Sequence, residues 1–537
     1  MKRLTTAITS GIFILPLTLA AQSWSWVAPI DGSGGERCEV VQALKGGGLA
    51  VGGAFSGSLD VQGLGIDGLG NDDLYLLRLD ADQRLLWAVV AGSSQDDETT
   101  ALAELPGGDI AFAGAFWFSV QLGDTLLGSG STSRSLFVAR LSPEGQLRWA
   151  RSIPGQGLKN ITGLAARPDG SLALAGYFER DLDLSPFFLE SGRADGTTFA
   201  FVAALDGQGE ALWARQAGHS NDTRANAIAL MPEGGMAIGG FFNDTARFDN
   251  IQFTANTFDP DAFIASYAAD GSLRWARKAG GVVDDEIRGL AAGADGSVYA
   301  TGSMIGVMTV SDEIVLQTTS GNPNFFLLKY SAAGEPLFGR TLGNAQIQRG
   351  LAIDVLDGLV AISGAFTGSF EVDGLTADSG GLPHGFAAGF NTAGEGRWLV
   401  PIPANTALVA SCLDIGPGGR VTVGGSYSRT AVFDEEELAC AGSTGAFVGQ
   451  LDPALTPVIE ARRQELAVEV FPNPGSGRFY LRPTGLPYDV VLYDDRGRRL
   501  GQWGKTDELR LEGLPGGWYV VEVRLGEAYR VLRVLKR

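Results

Sequence analysis

The chain has 537 residues, 45% of them hydrophobic and 19% charged, which is ample for more than one buried core and too apolar for a disordered polymer. Its formal net charge of −20 argues against duplex nucleic acid or an anionic membrane as partner, since either needs a basic surface to displace counterions. With only His219 and His384, a multi-histidine metal site is excluded and His-dependent nucleophile chemistry has at most two bases.

In chain order, residues 1–21 place Lys2 and Arg3 before an apolar run through Ile12, Phe13, Ile14, Leu15, Leu17 and Leu19 that ends in Ala20-Ala21. This pattern predicts a secretory signal peptide. Pro16 interrupts the run, which is shorter than the roughly 20 residues that span a bilayer, so no transmembrane segment is expected in the mature chain. An exported chain meets an oxidising compartment, where Cys38, Cys412 and Cys440 allow one bridge and leave one thiol.

Residues 22–452 carry a repeat of about 62 residues. A glycine two residues before an aromatic or Met recurs as Gly53-Ala54-Phe55, Gly114-Ala115-Phe116, Gly176-Tyr177-Phe178, Gly240-Phe241-Phe242, Gly302-Ser303-Met304, Gly364-Ala365-Phe366 and Gly425-Ser426-Tyr427. Tryptophan recurs in register at Trp26, Trp87, Trp149, Trp213, Trp275 and Trp398, with Phe338 in the remaining slot. The unit after Trp149 shows the grammar. An apolar run from Ile161 to Ala166, the turn Pro168-Asp169-Gly170 and Ser171 to Gly176 make one hairpin. Phe199 to Leu205, Asp206-Gly207-Gln208-Gly209 and Ala211 to Arg215 make a second. Four short strands per unit, apolar on both faces, predict four-stranded antiparallel sheets packed face to face around an axis, a seven-bladed β-propeller. The last unit runs through Ala446 to Asp452 and lacks its fourth strand, whereas Ser23 to Ala28 is an orphan copy of that strand. The ring is therefore expected to close by pairing Trp24 to Ala28 with Phe447 to Leu451.

These units resemble the SBBP-type bacterial β-propeller repeat on Phe137-Val138-Ala139-Arg140-Leu141, Gly145-Gln146-Leu147-Arg148-Trp149 and Pro168-Asp169-Gly170. Phe338 for Trp and the lost Asp-Gly turn at Lys45-Gly46-Gly47 depart from that pattern. The resemblance implies a scaffold and no particular activity.

Residues 453–466 read as a linker. From Val468 onward the net charge is +3, against −25 for the mature part before it. Short strands at Val468 to Phe471, Arg478 to Leu481, Val490 to Tyr493, Glu508 to Leu511, Trp518 to Val523 and Tyr529 to Leu535 predict a small Ig-like β-sandwich over 467–537. Pro472-Asn473-Pro474, the run Leu492-Tyr493-Asp494-Asp495-Arg496-Gly497-Arg498, the run Leu514-Pro515-Gly516-Gly517-Trp518-Tyr519 and the terminus Val534-Leu535-Lys536-Arg537 resemble the type A C-terminal sorting domain of the type IX secretion system of Bacteroidetes. The resemblance implies recognition by that machinery, passage through the periplasm, and display on the outer-membrane surface or release.

The chemistry is less pointed. Asp96-Asp97-Glu98, Asn221-Asp222 and Asp284-Asp285-Glu286 follow the Trp strand and are candidate calcium loops, with Asp96, Asp97, Asp284 and Asp285 as ligands. No Asp-x-Asp-x-Asp-Gly loop accompanies them, and a blade-turn consensus with a solvated acidic rim explains them as well. No other cofactor is expected. The histidines lack a paired Ser or Cys motif and read as loop residues. Cys38 and Cys412 start the first strands of units one and seven, neighbours in a closed ring, and Cys440 precedes a third strand on the same face, so Cys440 could reach either; Cys412 with Cys440 is the preferred disulfide. A binding or adhesion module for glycan or protein is the leading expectation, its sites on loops and axial channel. The rivals are a secreted polysaccharide hydrolase and a purely structural surface protein.

Overall fold

A computed structural model describes residues 22–537 except 129–132, 256–257, 319–320, 344–345, 453–467, 472–474, 483–487, 494–498 and 526–527. The chain divides into two compact units, Met1–Leu455 and Thr456–Arg537.

Among the described residues the first unit is built almost wholly of strands, with a single 3₁₀ turn at Pro417–Gly419. Five four-stranded antiparallel sheets follow one another. In chain order, their first strands are Glu98–Glu104, Lys159–Ala166, Thr223–Leu230, Asp285–Ala292 and Gln348–Leu356. Each is a meander. In the sheet of Lys159–Ala166 the order continues through Leu172–Glu179, Thr198–Leu205 and Ala211–Ala217.

An eight-stranded seam sheet joins the two ends of this unit. One half holds Glu36–Ala43, Leu49–Val61, Leu64–Leu79 and Leu85–Ala91; the other holds Ala407–Ile415, Val421–Ser428, Gly445–Leu451 and the N-terminal strand Trp24–Gly32. That strand pairs antiparallel with Gly445–Leu451, Val27 opposite Gly449 and Ile30 opposite Ala446. Its last two residues, Asp31 and Gly32, cross to Asp60 and Leu59 of the other half. The orphan strand therefore lies where the repeat register placed it.

First strands of consecutive sheets touch all the way round, and Ala407–Ile415 touches Glu36–Ala43, so the inner strands form a closed ring. Ile110–Phe116 and Asp261–Tyr267 are buried at every position, as expected of strands covered on both faces. Hydrophobic clusters accordingly run between neighbouring sheets; one joins Leu136 and Trp149 to Leu172 and Phe201.

Two side-chain devices explain the repeat. Every inner strand carries a β-bulge at the same level, and the motif glycine sits across from it. A Cβ on Gly176 would stand 2.0 Å from the Asn160 carbonyl oxygen, and the six other motif glycines meet the matching carbonyl at 1.9–2.0 Å. Four of the recurring tryptophans clamp sheet to sheet. Trp87, Trp149, Trp213 and Trp275 donate Nε1–H to the carbonyls of Pro143, Gly207, Ala269 and Ala332 in the next sheet's outer turn, at 2.9–3.0 Å. Where Phe338 stands for Trp, the corresponding Thr392 carbonyl accepts instead from Lys329 Nζ at 3.3 Å. At Lys45-Gly46-Gly47 the Asp-Gly signal is missing but a turn still forms, with Gly47 N–H donating to the Leu44 carbonyl and a φ of +90° at Gly47.

The stretch between second and third strands, read from sequence only as polar, holds a further hairpin in the sheets and in the second seam half. Ser119–Leu122 with Thr125–Gly128 and Asp181–Leu184 with Phe187–Glu190 are examples. In the first seam half that hairpin is continuous with long strands turning at Gln62-Gly63.

The second unit consists of a three-stranded sheet (Glu469–Phe471, Arg478–Arg482, Glu508–Arg510) and a four-stranded sheet (Arg499–Thr506, Tyr488–Tyr493, Gly517–Leu525, Ala528–Lys536). One cluster that includes Val468, Phe479, Leu481, Val490, Leu492, Leu509, Val521 and Val534 draws on both. Strand Arg499–Thr506 was not foreseen; its Gly501 and Gly504 dilute the β signal.

Candidate binding face at the channel mouth

The inner strands enclose a channel of about 370 Å³, to which each contributes a short stretch around its bulge. The bulged residues are Glu39, Thr100, Thr162, Asn226, Arg288, Leu351 and Ser411. Three of them tie one sheet to the next, Thr100 Oγ1 donating to Ile161 O (2.6 Å), Thr162 Oγ1 to Ala225 O (2.8 Å) and Asn226 Nδ2 to Ile287 O (2.9 Å), and Ser411 Oγ ties the two halves of the seam sheet by donating to Cys38 O (2.8 Å). The bulge thus places a polar side chain opposite a backbone carbonyl of the next sheet, and much of the channel polarity is consumed in holding the ring.

Before the bulges, where the inner strands begin, the mouth is ringed by charges of both signs. Arg37 pairs with Asp72 at 2.9 Å and Glu39 at 3.1 Å, and Glu98 with Arg134 at 2.5 Å. Arg288 donates to Glu286 at 2.7 Å. One sector is aromatic. Tyr177 and Phe241, the middle residues of their glycine motifs, are half-buried, and the Arg224 guanidinium stands 4.8 Å from the Tyr177 ring centroid and 5.9 Å from that of Phe241. Arg224 is held by Thr198 Oγ1 at 3.0 Å and by Asp222 at 3.7 Å, while Asp222 accepts from the Thr198 N–H and hydroxyl at 2.8 and 2.9 Å. A stacked cation, two aromatic faces and several donors and acceptors therefore converge at this sector. Sequence reading counted Tyr177 and Phe241 only as repeat markers.

At the other end of the channel Asp354 and Asp414 line the wall. Asp414 Oδ2 accepts from Ala43 N–H at 2.7 Å and Gln42 Nε2 at 3.1 Å, and Asp354 accepts from Val355 N–H and Ile415 N–H, each at 2.8 Å. Burial, and then the Asp354 carboxylate, push the Asp414 pKa well up; burial also raises that of Asp354.

The acidic loops do not gather into an ion site. Asp96 and Asp284 are exposed, whereas Asp97 and Asp285 are fully buried, so each expected pair points two ways. Both Asp97 oxygens are used, by Trp117 N–H at 2.8 Å and by Ser93 N–H. Among the described residues no group of three or more His, Cys, Asp or Glu side chains could hold a metal ion. Asp285 lies near Asp261, which pairs with Lys278 at 2.5 Å; burial, and then the Asp261 charge, raise the Asp285 carboxyl from 3.8 to about 8.

That shift fixes a sign. Between about pH 4 and 8 the folded chain keeps a proton that the unfolded chain releases, so stability present at low pH is lost as pH rises through 8. Asp285→Asn, which mimics the protonated form, is expected to overtake the native chain as pH rises, by on the order of a few kcal/mol at pH 8.5. Urea titrations at pH 5 and 8.5 check this; equal slopes with pH for both proteins would contradict it.

His219 is an exposed loop residue, but His384 opens the strand His384–Asn391, buried, with Nε2 3.1 Å from Ala404 O. Burial lowers its pKa. The cysteine expectation needs correction: Cys412 Sγ lies 3.7 Å from Cys38 Sγ, whereas Cys440 Sγ accepts from the Arg429 N–H at 3.2 Å. The inner strands of the two seam halves are adjacent, which brings Cys412 to Cys38.

Of the sorting-motif residues, Leu492 is in the core of the second unit, Tyr519 donates its hydroxyl to Pro515 O at 2.7 Å, Gly517 begins a strand with φ +156°, and Lys536 Nζ donates to Leu514 O. Tyr493 ends its strand. Pro472, Asn473, Pro474, Asp494, Gly497 and Arg498, like the signal segment 1–21 and the linker 453–466, lie outside the described residues.

No family model matches the chain. It is similar to the uncharacterized WD repeat-containing protein L264 of Acanthamoeba polyphaga mimivirus, 20% identical over 461 residues, covering 70% of this chain and 33% of that protein. It is also similar to the regulatory protein FlaEY of Caulobacter vibrioides, 31% identical over 144 residues, covering 26% and 15%. The chain thus spans a third or less of the curated relatives it matches. Among solved structures, the β-propeller domain of the Trilobed protease from Pyrococcus furiosus aligns with a TM-score of 0.35 at 11% identity, covering 78% of this chain and 96% of that one. The extracellular domain of a hybrid two component system from B. thetaiotaomicron aligns with a TM-score of 0.18 at 10% identity, covering 96% and 99%. The chain is a repeat protein of the β-propeller kind. Among the described residues no helix is long and apolar enough to cross a membrane.

Proposed function

We propose that this chain is a seven-bladed propeller, each seam half counting as one blade, that binds a glycan at its channel mouth. The sector of Arg224, Tyr177 and Phe241 carries the reading. Sugar rings present apolar C–H faces that pack on aromatic rings, and their hydroxyls suit a rim where donors and acceptors alternate. The residue ranges 22–452 and 467–537 are taken as propeller and sorting domain. The motif series around Leu492, Pro515, Gly517 and Lys536 supports export by the type IX machinery to the cell surface or medium.

Glycan-array screening followed by calorimetry on the hits tests the binding reading. The Tyr177→Ala/Phe241→Ala double variant is expected to lose at least about tenfold in affinity with little change in thermal midpoint. Undiminished binding by that variant would remove the site from the mouth; a protein ligand in place of a glycan would correct the ligand class. A second reading, polysaccharide hydrolysis, draws on Asp354 and Asp414, two carboxyls with raised pKa in one channel. Product formation that vanishes in Asp354→Asn/Asp414→Asn would favour it. For export, deleting residues 468–537 is expected to strand the chain in the periplasm.

A further inference from the structure

Cys38 and Cys412 lie on the inner strands Glu36–Ala43 and Ala407–Ile415, the first strands of the two halves of the seam sheet. Both are buried, and their sulfurs are 3.7 Å apart. Gly424 makes the room: a Cβ there would stand 2.6 Å from one sulfur and 2.8 Å from the other. The two residues are 374 apart in sequence. A bond between them would therefore enclose nearly the whole ring in one covalent loop, at the place where non-covalent contacts alone hold first repeat to last.

We propose that Cys38 and Cys412 form a disulfide that locks the seam, with Cys440 left as the free thiol. The sulfurs need approach by less than 2 Å to reach the bond length of about 2.0 Å, which side-chain rotation and small strand shifts can provide. The oxidant is a small-molecule or protein disulfide. One cysteine thiolate attacks it and forms a mixed disulfide, expelling one thiolate; the other cysteine thiolate attacks the protein sulfur of that mixed disulfide and expels the second. The two protons released by the cysteines end on the two thiols of the reduced oxidant, so two protein thiols and one disulfide become one protein disulfide and two thiols. Burial pushes the Cys412 thiol well up and shields it from attack once the ring is shut. Oxidation therefore belongs to the stage when the seam is still open, and the finished bond is sheltered from reductant.

The experiment uses the full chain. Reduced protein is unfolded and returned to native conditions in a mixture of glutathione and glutathione disulfide. Soluble monomer is collected, residual thiols are alkylated in acid, and the product is digested with trypsin without reduction. Cleavage after Arg37, Lys45, Arg397, Arg420, Arg429 and Arg462 puts each cysteine in its own peptide. The expected result is a cross-linked pair of peptides 38–45 and 398–420, with peptide 430–462 alkylated at Cys440. Alkylated Cys38 and Cys412 in the monomer, or a bridge involving Cys440, would overturn the proposal. Cys440→Ser is expected to keep the cross-link, and the Cys38→Ser/Cys412→Ser variant refolded in the same mixture to melt about 5 °C below the oxidised monomer; equal midpoints would contradict the locking role.

Discussion

Deleting residues 22–32 is expected to lower the thermal midpoint of the chain by about 10 °C and to make it aggregate, as read by calorimetry and light scattering. The strand Trp24–Gly32 is the fourth strand of the last repeat, supplied from the other end of the chain. Its loss exposes the surface that Val27 and Ile30 cover, at about 1.5–3 kcal/mol per large apolar side chain. It also removes the edge-on packing of Trp24 against Phe433, ring centroids 5.0 Å apart. Gly445–Leu451 is then left with an open row of N–H and C=O groups, a template for pairing with another chain. Together these cost on the order of 5–10 kcal/mol, which in a unit of this size corresponds to roughly that many degrees. A deletion variant that melts with the native chain and stays monomeric would show that the ring does not depend on its N-terminal strand.

Trp213→Ala is expected to cost about 3–5 kcal/mol in urea unfolding, the range for emptying a buried indole site. The Trp213 ring lies under Gly271 of the next sheet, whose φ of +82° and missing Cβ let the indole close in; an added Cβ would meet Cδ2 at 2.5 Å. Its Nε1–H satisfies the Ala269 carbonyl at 2.9 Å, so the substitution loses packing and also leaves an acceptor without its donor. Gly271→Val is expected to do comparable damage from the opposite side, by striking the ring and by forcing a β-branched residue into left-handed backbone. A loss below 1 kcal/mol for both would mean that the recurring tryptophan is not what couples one sheet to the next.

The sequence was most legible where one physical demand recurs in every unit. Glycine opposite a bulge, tryptophan under an outer turn, and an unmatched strand at the start of the chain each leave a fixed residue type at a fixed spacing, so strand order and ring closure could be read in advance. The bulge itself could not. Its residue is Glu39, Thr100, Thr162, Asn226, Arg288, Leu351 or Ser411, and only the glycine on the neighbouring strand betrays it. The small outer hairpins were hidden because each is a few residues long, although the alternation in Leu182-Asp183-Leu184 and Ala246-Arg247-Phe248 was there to be read. The mouth was less visible still. Arg224, Tyr177 and Phe241 come together across two adjacent sheets, and nothing local marks Arg224 as the residue that stacks between them. The cysteine expectation failed for a related reason: loop position suggested Cys440, whereas contact between the two inner strands of the seam brings Cys38 to Cys412.

Hydrogen–deuterium exchange of the full chain, followed on peptides covering Val27 to Ile30, tests the closed ring most directly. Those amides are expected to be protected as strongly as those of Phe447 to Gln450, with which they share a ladder, and to lose protection in the same cooperative step. Exchange of Val27 to Ile30 at the rate of an unstructured peptide, while Phe447 to Gln450 stays protected, would contradict closure of the ring by the N-terminal strand.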